Sequence, residues 1–136
     1  MKTELQLIAA AALVTLVACG HSQTYPSTRA AFAATVDPDL TPALLAREPG
    51  AHVRQTIAMR CYVARKVSAT EYRADCVPHG SSLDPLSYGT QLDLNGAAAS
   101  NLLVGEMADN LFGVVQAPMA LAGGPTMLPV VMVWFT

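Results

Sequence analysis

The stretch HVRQTIAMRCYVARKV, His52 to Val67, decides the fold because apolar and polar side chains alternate along it. The apolar positions share one parity: Val53, Ile57, Met59, Cys61, Val63 and Val67. The other parity carries mostly charged or hydroxyl-bearing side chains: Arg54, Thr56, Arg60, Tyr62 and Lys66. A period of two is typical of a strand with one buried face, so we predict a long strand here.

The following stretch EYRADCV, Glu71 to Val77, repeats the alternation and predicts the second strand of a hairpin. A turn at Ser68 and Ala69 would set Cys61 opposite Cys76. Both sulfurs would then point to the same side of the hairpin.

Three more strands and two helices are predicted outside this hairpin. Thr41, Pro42 and Pro49-Gly50 are typical of the beginning and end of a short helix. The strand-like stretches are YGTQLDLNG (88–96), LFGVVQA (111–117) and LPVVMVWF (128–135). A second helix is predicted over 97–109, where Leu103 and Met107 lie four residues apart. The last strand is apolar on both faces, which indicates cover on both sides or an interface.

This order of elements, three strands, a helix and two strands, resembles the OB-fold over residues 51–135. The resemblance implies a mainly β protein with a small five-stranded barrel, one helix between strands 3 and 4, and a short helix before the barrel. A small sandwich or an α+β roll would fit the same order.

The beginning of the chain indicates export. A weakly positive start precedes an apolar run that ends in Leu16-Val17-Ala18-Cys19, and that run is too short to span a bilayer. A buried core helix is the alternative. The four residues resemble the lipobox of bacterial lipoprotein precursors. The resemblance implies a signal peptide over 1–18 and a lipid on Cys19 that attaches the protein to the membrane, and the freed amine can carry a further acyl chain such as palmitate.

That resemblance also implies a location and a domain plan. Gly20 stands where the family's inner-membrane retention signal is an Asp, which implies the outer membrane, facing the periplasm, in a Gram-negative cell. Residues 19–38 lack a helical or strand period and are predicted to form a tether, flexible or docked in part through Tyr25 or Phe32. Residues 39–136 would form the β-rich domain.

Once Cys19 is lipidated, Cys61 and Cys76 remain as an even pair in an exported protein, which predicts a disulfide. A metal site made of Cys61, Cys76 and His79 is the alternative, but no further clustered ligand completes it. No metal or cofactor is predicted. His79, Ser81, Ser82 and Asp84 suggest a hydrolase only weakly, because catalytic triads assemble from distant segments. The protein is not expected to be an enzyme.

Positive charge concentrates in the first hairpin, although the net charge of the chain is −2. The parity sends five residues outward as a candidate partner-binding face: Arg54, Arg60, Tyr62, Lys66 and Arg73. A solvated strand face is the plain alternative. The acidic net charge argues against nucleic acid and favours an acidic envelope partner.

The sequence therefore predicts a lipid-anchored, non-catalytic binding or scaffold module, as a subunit of a larger envelope or secretion assembly. The alternative is an inhibitor or immunity-type lipoprotein that blocks a cell-wall-targeting enzyme. A rigid exposed loop at 78–87 or 120–128 would favour the inhibitor.

Overall fold

The computed structural model describes residues 24–124 and 126–136. The predicted signal peptide and Cys19 lie outside the described residues. The described part of the chain contains three short α-helices: α1 (Arg29–Ala33), α2 (Pro42–Arg47) and α3 (Pro85–Tyr88). The strands are β1 (Thr56–Ser68), β2 (Glu71–Pro78), β3 (Thr90–Asn95), β4 (Met107–Ala120) and β5 (Met127–Phe135). A 3₁₀ helix, Ala97–Asn101, lies between β3 and β4.

The five strands close into a barrel in the order β1-β2-β3-β5-β4. β3 and β5 run parallel, and every other neighbouring pair is antiparallel. This arrangement confirms the prediction of a mainly β protein with an OB-like barrel. Because the barrel is closed, most strand edges are paired, and few of their main-chain N–H and C=O groups remain open to pairing with another chain.

The β1–β2 hairpin has the predicted register, with Cys61 opposite Cys76 and Val63 opposite Ala74. The two cysteines form a disulfide inside the barrel, and their Cα atoms are 4.1 Å apart. Since each sulfur is bonded to the other, the alternative of a metal site made of Cys61, Cys76 and His79 is excluded. The turn lies one residue later than predicted, because β1 continues to Ser68.

The predicted alternation of buried and exposed side chains along β1 is confirmed in the centre of the strand and is wrong at both ends. Ile57, Met59, Cys61 and Val63 are buried in the barrel core. Val53 precedes the strand, and Val67 follows a register shift between Val63 and Arg65, so both valines are exposed. A bulge adds a residue to one strand and reverses the side on which later residues lie.

The helix predicted over 97–109 is much shorter than expected. It is a single 3₁₀ segment that ends at Asn101, and β4 begins at Met107. Leu102 follows it in an extended conformation and enters the core, whereas Leu103 is exposed. Leu103 and Met107 therefore form no buried helical face, and β4 pairs with β1 from Met107 onward.

The described part of the predicted tether is docked on the barrel. We call residues 24–36 the strap. Thr28 caps α1 through a hydrogen bond that its side chain accepts from the Ala31 N–H. Phe32 is completely buried, with its ring centroid 5.9 Å from that of Trp134. The Trp134 Nε1–H also donates to the Pro26 carbonyl at 3.1 Å. This part of the predicted tether is therefore docked through Tyr25 and Phe32, the two residues expected to dock it.

The strap explains why β5 is apolar on both faces. Val131 and Val133 point into the barrel core. Met132 and Trp134 lie on the opposite face and pack in the cluster around Phe32. Cover on both sides, one of the two expectations for this strand, is confirmed.

Candidate functional site

Of the five residues of the predicted basic face, the strand register places Arg60, Tyr62 and Arg73 on the same side of the hairpin, whereas Lys66 follows a register shift and Arg54 precedes β1. Arg54 precedes β1 and adopts a left-handed conformation with φ of 78°. Its N–H donates to the Val115 carbonyl at 2.7 Å, and its own carbonyl accepts from the Tyr25 hydroxyl at 3.0 Å. Arg54 thus lies at the strap end of β1, far along the strand from the hairpin turn.

Arg60 has a structural role. Its Nε donates to Asp109 at 3.1 Å, and its Nη1 donates to the Leu83 carbonyl at 3.0 Å. The side chain therefore ties the β2–β3 connection to the beginning of β4. Tyr62, two residues further on, is half-buried opposite Asp75 of β2 and Met107 of β4.

Arg73 is largely covered and is paired with a buried acid. Its side chain is 16% exposed, and its Nε donates at 2.9 Å to Asp93, which is fully buried. Glu71 belongs to the same cluster, because a hydrogen bond to Asp93, with burial as a smaller cause, raises the pKa of the Glu71 carboxyl. Arg73 is therefore not a free cation on the barrel surface.

Lys66 lies on the other side of the hairpin from its predicted neighbours. The bulge before Arg65 sets Lys66 opposite Tyr72, a core residue, and sets Arg65 opposite Arg73. Paired residues point to the same face, so Arg65 takes the outward position predicted for Lys66. Both side chains are exposed near the hairpin turn.

A groove of about 620 Å³ opens where β4 and β5 separate, and we call it the seam groove. Leu102, Leu103 and Phe112 contribute its apolar walls, and Arg29, Glu106 and Asn110 contribute polar groups. The last β4–β5 pair joins Phe112 to Phe135, whereas β1 follows β4 back to Met107. Within residues 24–124 and 126–136, no strand pairs with Met107–Leu111 on the side where β5 ends.

Arg29 of the strap contributes to the lining of the seam groove. Its guanidinium donates to the Asn110 carbonyl at 3.4 Å and to the Thr136 carbonyl. It also lies 5.9 Å from the ring centroid of Phe112 and 5.8 Å from that of Phe135. Cation–π contacts of this kind contribute about 0.5–1 kcal/mol at exposed sites.

His79 lies beside the same aromatic ring. Its Nε2 is 2.9 Å from the Asn110 Oδ1, and its ring centroid is 5.6 Å from that of Phe112. Because the amide oxygen accepts, Nε2 carries the proton. A second groove of about 430 Å³ is also lined by His79 and Phe112, so these two residues separate neighbouring grooves.

The residues that had suggested a hydrolase have separate structural roles. Asp84 caps α3 by accepting from the Leu86 N–H at 3.0 Å, and the Ser81 hydroxyl accepts from the Leu83 N–H at 3.1 Å. His79 contacts Asn110 instead of either serine. These contacts order the β2–β3 connection, from which Leu83, Leu86 and Tyr88 project into solvent.

One imidazole and one further carboxyl group have raised pKa values. The hydrogen bond to Glu48 is the main reason that the pKa of His52 is raised. Burial raises the pKa of Asp75. Neither group lines the seam groove.

Sequence reasoning missed Arg29, Glu106, Asn110 and Phe112. Arg29 and Asn110 are 81 positions apart, and no motif joins them. The sequence offered two indirect signals: the apolar character of both faces of the last strand, which indicated a covering segment, and Tyr25 and Phe32, which were expected to dock part of the tether.

No protein-family model matches the sequence, and neither the curated proteins nor the solved structures give a significant match to the chain. Over the described residues, no group of three or more His, Cys, Asp or Glu side chains could hold a metal ion. No helix in that same part of the chain is long and apolar enough to cross a membrane.

Proposed function

We propose that the protein is a lipid-anchored, non-catalytic binding module of the cell envelope that receives a partner in the seam groove. The seam groove is the observation that carries this proposal. It combines apolar walls with polar groups at its rim, which is the usual composition of a binding site. Phe112 and Leu102 offer contact area, and Glu106 and Arg29 offer charges of opposite sign.

The anchor and the docked strap fit together in this proposal. The strap begins at Thr24, five residues after Cys19. An extended chain covers at most about 3.6 Å per residue, so a lipid on Cys19 would hold the barrel within about 20 Å of the bilayer surface. Two or more acyl chains give stable attachment, which suits a module that works beside a membrane-bound assembly. In a Gram-negative cell this would be the outer membrane, facing the periplasm.

The non-catalytic part of the proposal is supported by the roles of the polar side chains. His79, Ser81 and Asp84 are each used to order the β2–β3 connection. The acidic partner predicted for the first hairpin stays a prediction. It would depend on Arg54, Arg65 and Lys66, since Arg60 and Arg73 are each paired with an Asp.

One observation favours the inhibitor alternative. The connection at 78–87 is ordered by Asp84, Ser81 and Arg60, yet Leu83 and Leu86 are among its most exposed side chains. A fixed loop that presents apolar side chains is suited to enter the cleft of an enzyme.

Two experiments test the proposal. Replacement of Cys19 by Ser should release the protein from the membrane fraction or leave an uncleaved precursor. A Cys19→Ser protein that is processed and pelleted like the wild type would contradict the anchor.

The second experiment separates the two functions by position. A photo-crosslinking amino acid is placed at Leu103, in the seam groove, or at Leu86, in the exposed loop. Crosslinks from Leu103 to subunits of one envelope assembly support the binding module, and crosslinks from Leu86 to a single hydrolase support the inhibitor. The absence of crosslinks from Leu103 would argue against the seam groove as the partner site.

A further inference from the structure

The tip of the first hairpin, residues 64–70, projects from the wall of the barrel. β1 pairs with β4 only as far as Tyr62. The last hydrogen bonds of β1 on that side are those of the Val63 N–H and carbonyl, which join Glu106 and Gly105. After Val63, β1 is paired with β2 alone within the described part of the chain, and every residue of the tip is exposed.

Two adjacent cations lie on this tip. Arg65 is opposite Arg73 and Lys66 is opposite Tyr72, so the two cations lie on opposite faces of the tip. Within residues 24–124 and 126–136, neither Arg65 nor Lys66 forms an ion pair. Val67 follows them and is 42% exposed. The tip therefore presents positive charge on both faces together with an apolar side chain.

The register gives Arg65 a position that does not favour the fold. Like charges directly opposite each other on neighbouring strands destabilise a sheet, and Arg65 lies opposite Arg73. Asp93 is fully buried and pairs with Arg73 at 2.9 Å. The hydrogen bond that raises the pKa of Glu71 joins it to the same Asp93, whose Oδ2 has no other partner among the described residues. The acids beside the tip thus belong to the Arg73 cluster, and Arg65 is left for an anion outside the chain.

We propose that the hairpin tip is a second docking surface, separate from the seam groove, for a flexible acidic segment of a partner protein. Carboxylates of that segment contact Arg65 on one face and Lys66 on the other, and an apolar residue between them contacts Val67. This assignment narrows the predicted acidic partner from the whole hairpin to its tip. Because the cations are exposed, each contact is weak and sensitive to salt.

The position of the tip favours a protein partner over the bilayer. β1 is 13 residues long, which corresponds to about 40 Å. The strap and Arg54 lie at one end of β1, and the tip lies at the other. The tip is therefore far from the point where the chain would leave for the membrane, a step that rests on the proposed function because it uses the lipid on Cys19. The net charge of −2 disfavours nucleic acid.

The probe is a fluorescein-labelled peptide of ten residues in which Glu and Ala alternate, compared with peptides in which Gln or Lys replaces Glu. Fluorescence anisotropy is measured at low salt with the full chain as purified from expressing cells. We expect the Glu/Ala peptide to bind about fivefold more tightly than the Gln/Ala peptide, and the Lys/Ala peptide not to bind. At about 1 M salt, where the Debye length is about 3 Å, most of this difference should disappear.

Arg65→Gln and Lys66→Gln should each weaken the binding of the Glu/Ala peptide up to about fivefold, and the double variant about tenfold. The matched control combines Arg47→Gln with Arg54→Gln, which removes the same charge at two exposed residues outside the tip. It should bind the peptide like the wild type. Arg65→Gln also removes the like-charge pair with Arg73, so its melting temperature should equal or exceed that of the wild type.

Equal binding of the Glu/Ala and Gln/Ala peptides would overturn the proposal, and so would an equal loss of affinity in the double variant and the control. A lower melting temperature in Arg65→Gln would show that Arg65 has a counter-charge within the fold, which would also contradict the proposal.

Vesicles test the bilayer as the occupant instead. Binding to vesicles of equal parts phosphatidylcholine and phosphatidylglycerol is compared with binding to phosphatidylcholine alone, so that the contribution of the anchor cancels. We expect the wild type and the Arg65/Lys66 double variant to show the same difference between the two vesicles. A preference for the anionic vesicles that only the wild type shows would replace the protein partner by the membrane. The peptide assay uses neither the seam groove nor the lipid, so its failure leaves the crosslinking from Leu103 and the fractionation of Cys19→Ser unaffected.

Discussion

Truncation of Phe32 tests whether the strap is part of the folded domain. Phe32 is completely buried and contacts three aromatic side chains: Tyr25, Trp134 and Phe135. Replacing a fully buried Phe by Ala costs about 3–5 kcal/mol, from lost apolar burial and the cavity that remains. For a domain of this size, about 4 °C of melting temperature corresponds to 1 kcal/mol. We therefore expect Phe32→Ala to melt about 12–20 °C below the wild type.

The melting temperature is measured by circular dichroism on the full chain. Val67→Ala is the control, because Val67 is exposed at the end of β1 and surface changes usually cost less than about 0.5 kcal/mol. Limited trypsin digestion gives a second reading. Arg29 lies in α1 with its side chain bound to two carbonyls, so cleavage after it should be slow in the wild type and fast in Phe32→Ala.

Two results would refute the reasoning. A loss of less than about 1 kcal/mol in Phe32→Ala would mean that the strap contributes little to the folded state. Rapid cleavage after Arg29 in the wild type would mean that residues 24–36 leave the barrel readily. Either result would also remove the explanation for the two apolar faces of β5.

Two further predictions concern the barrel itself. Replacement of Cys61 and Cys76 by Ala should lower the free energy of unfolding by about 3 kcal/mol, since the disulfide closes a loop with a sequence separation of 15. Denaturant titration of the variant and the wild type measures this loss. Equal intact masses of the wild type before and after reduction would refute the bond. The raised pKa of Glu71 means that its hydrogen bond to Asp93 stabilises the fold fully below the ordinary Glu pKa and is lost as pH rises through the raised value. Glu71→Gln keeps a donor at every pH, so the stability of the variant relative to wild type should increase as pH rises above the ordinary Glu pKa. A constant difference would show that Glu71 and Asp93 are not coupled.

Local pattern was sufficient for the first hairpin. The period of two in β1 predicted its buried face from Ile57 to Val63, and the same pattern in β2 predicted the pairing of Cys61 with Cys76. These features follow from neighbouring residues of one hairpin, where side-chain alternation and a short turn fix the register. The order of strands around one helical segment was also enough to predict the OB-like barrel.

The same reasoning failed where one residue changes the register. The bulge between Val63 and Arg65 reverses the faces of the positions that follow it, so Arg65 rather than Lys66 lies beside Arg73. The alternation of apolar and polar residues does not show where a bulge of this kind occurs. The acids that pair with Arg60 and Arg73 are equally invisible in the sequence, because Asp109 is 49 positions from Arg60 and Asp93 is 20 from Arg73.

What the sequence determined by itself is therefore local: the alternating strands, the capped helix at Thr41 and the cysteine pair. What only the tertiary structure decided is where distant segments meet. The strap lies on β5 because the outer face of that strand, with Met132 and Trp134, is apolar and must be covered. The seam groove brings together Arg29 of the strap with Glu106 and Asn110, which are far from it in the sequence.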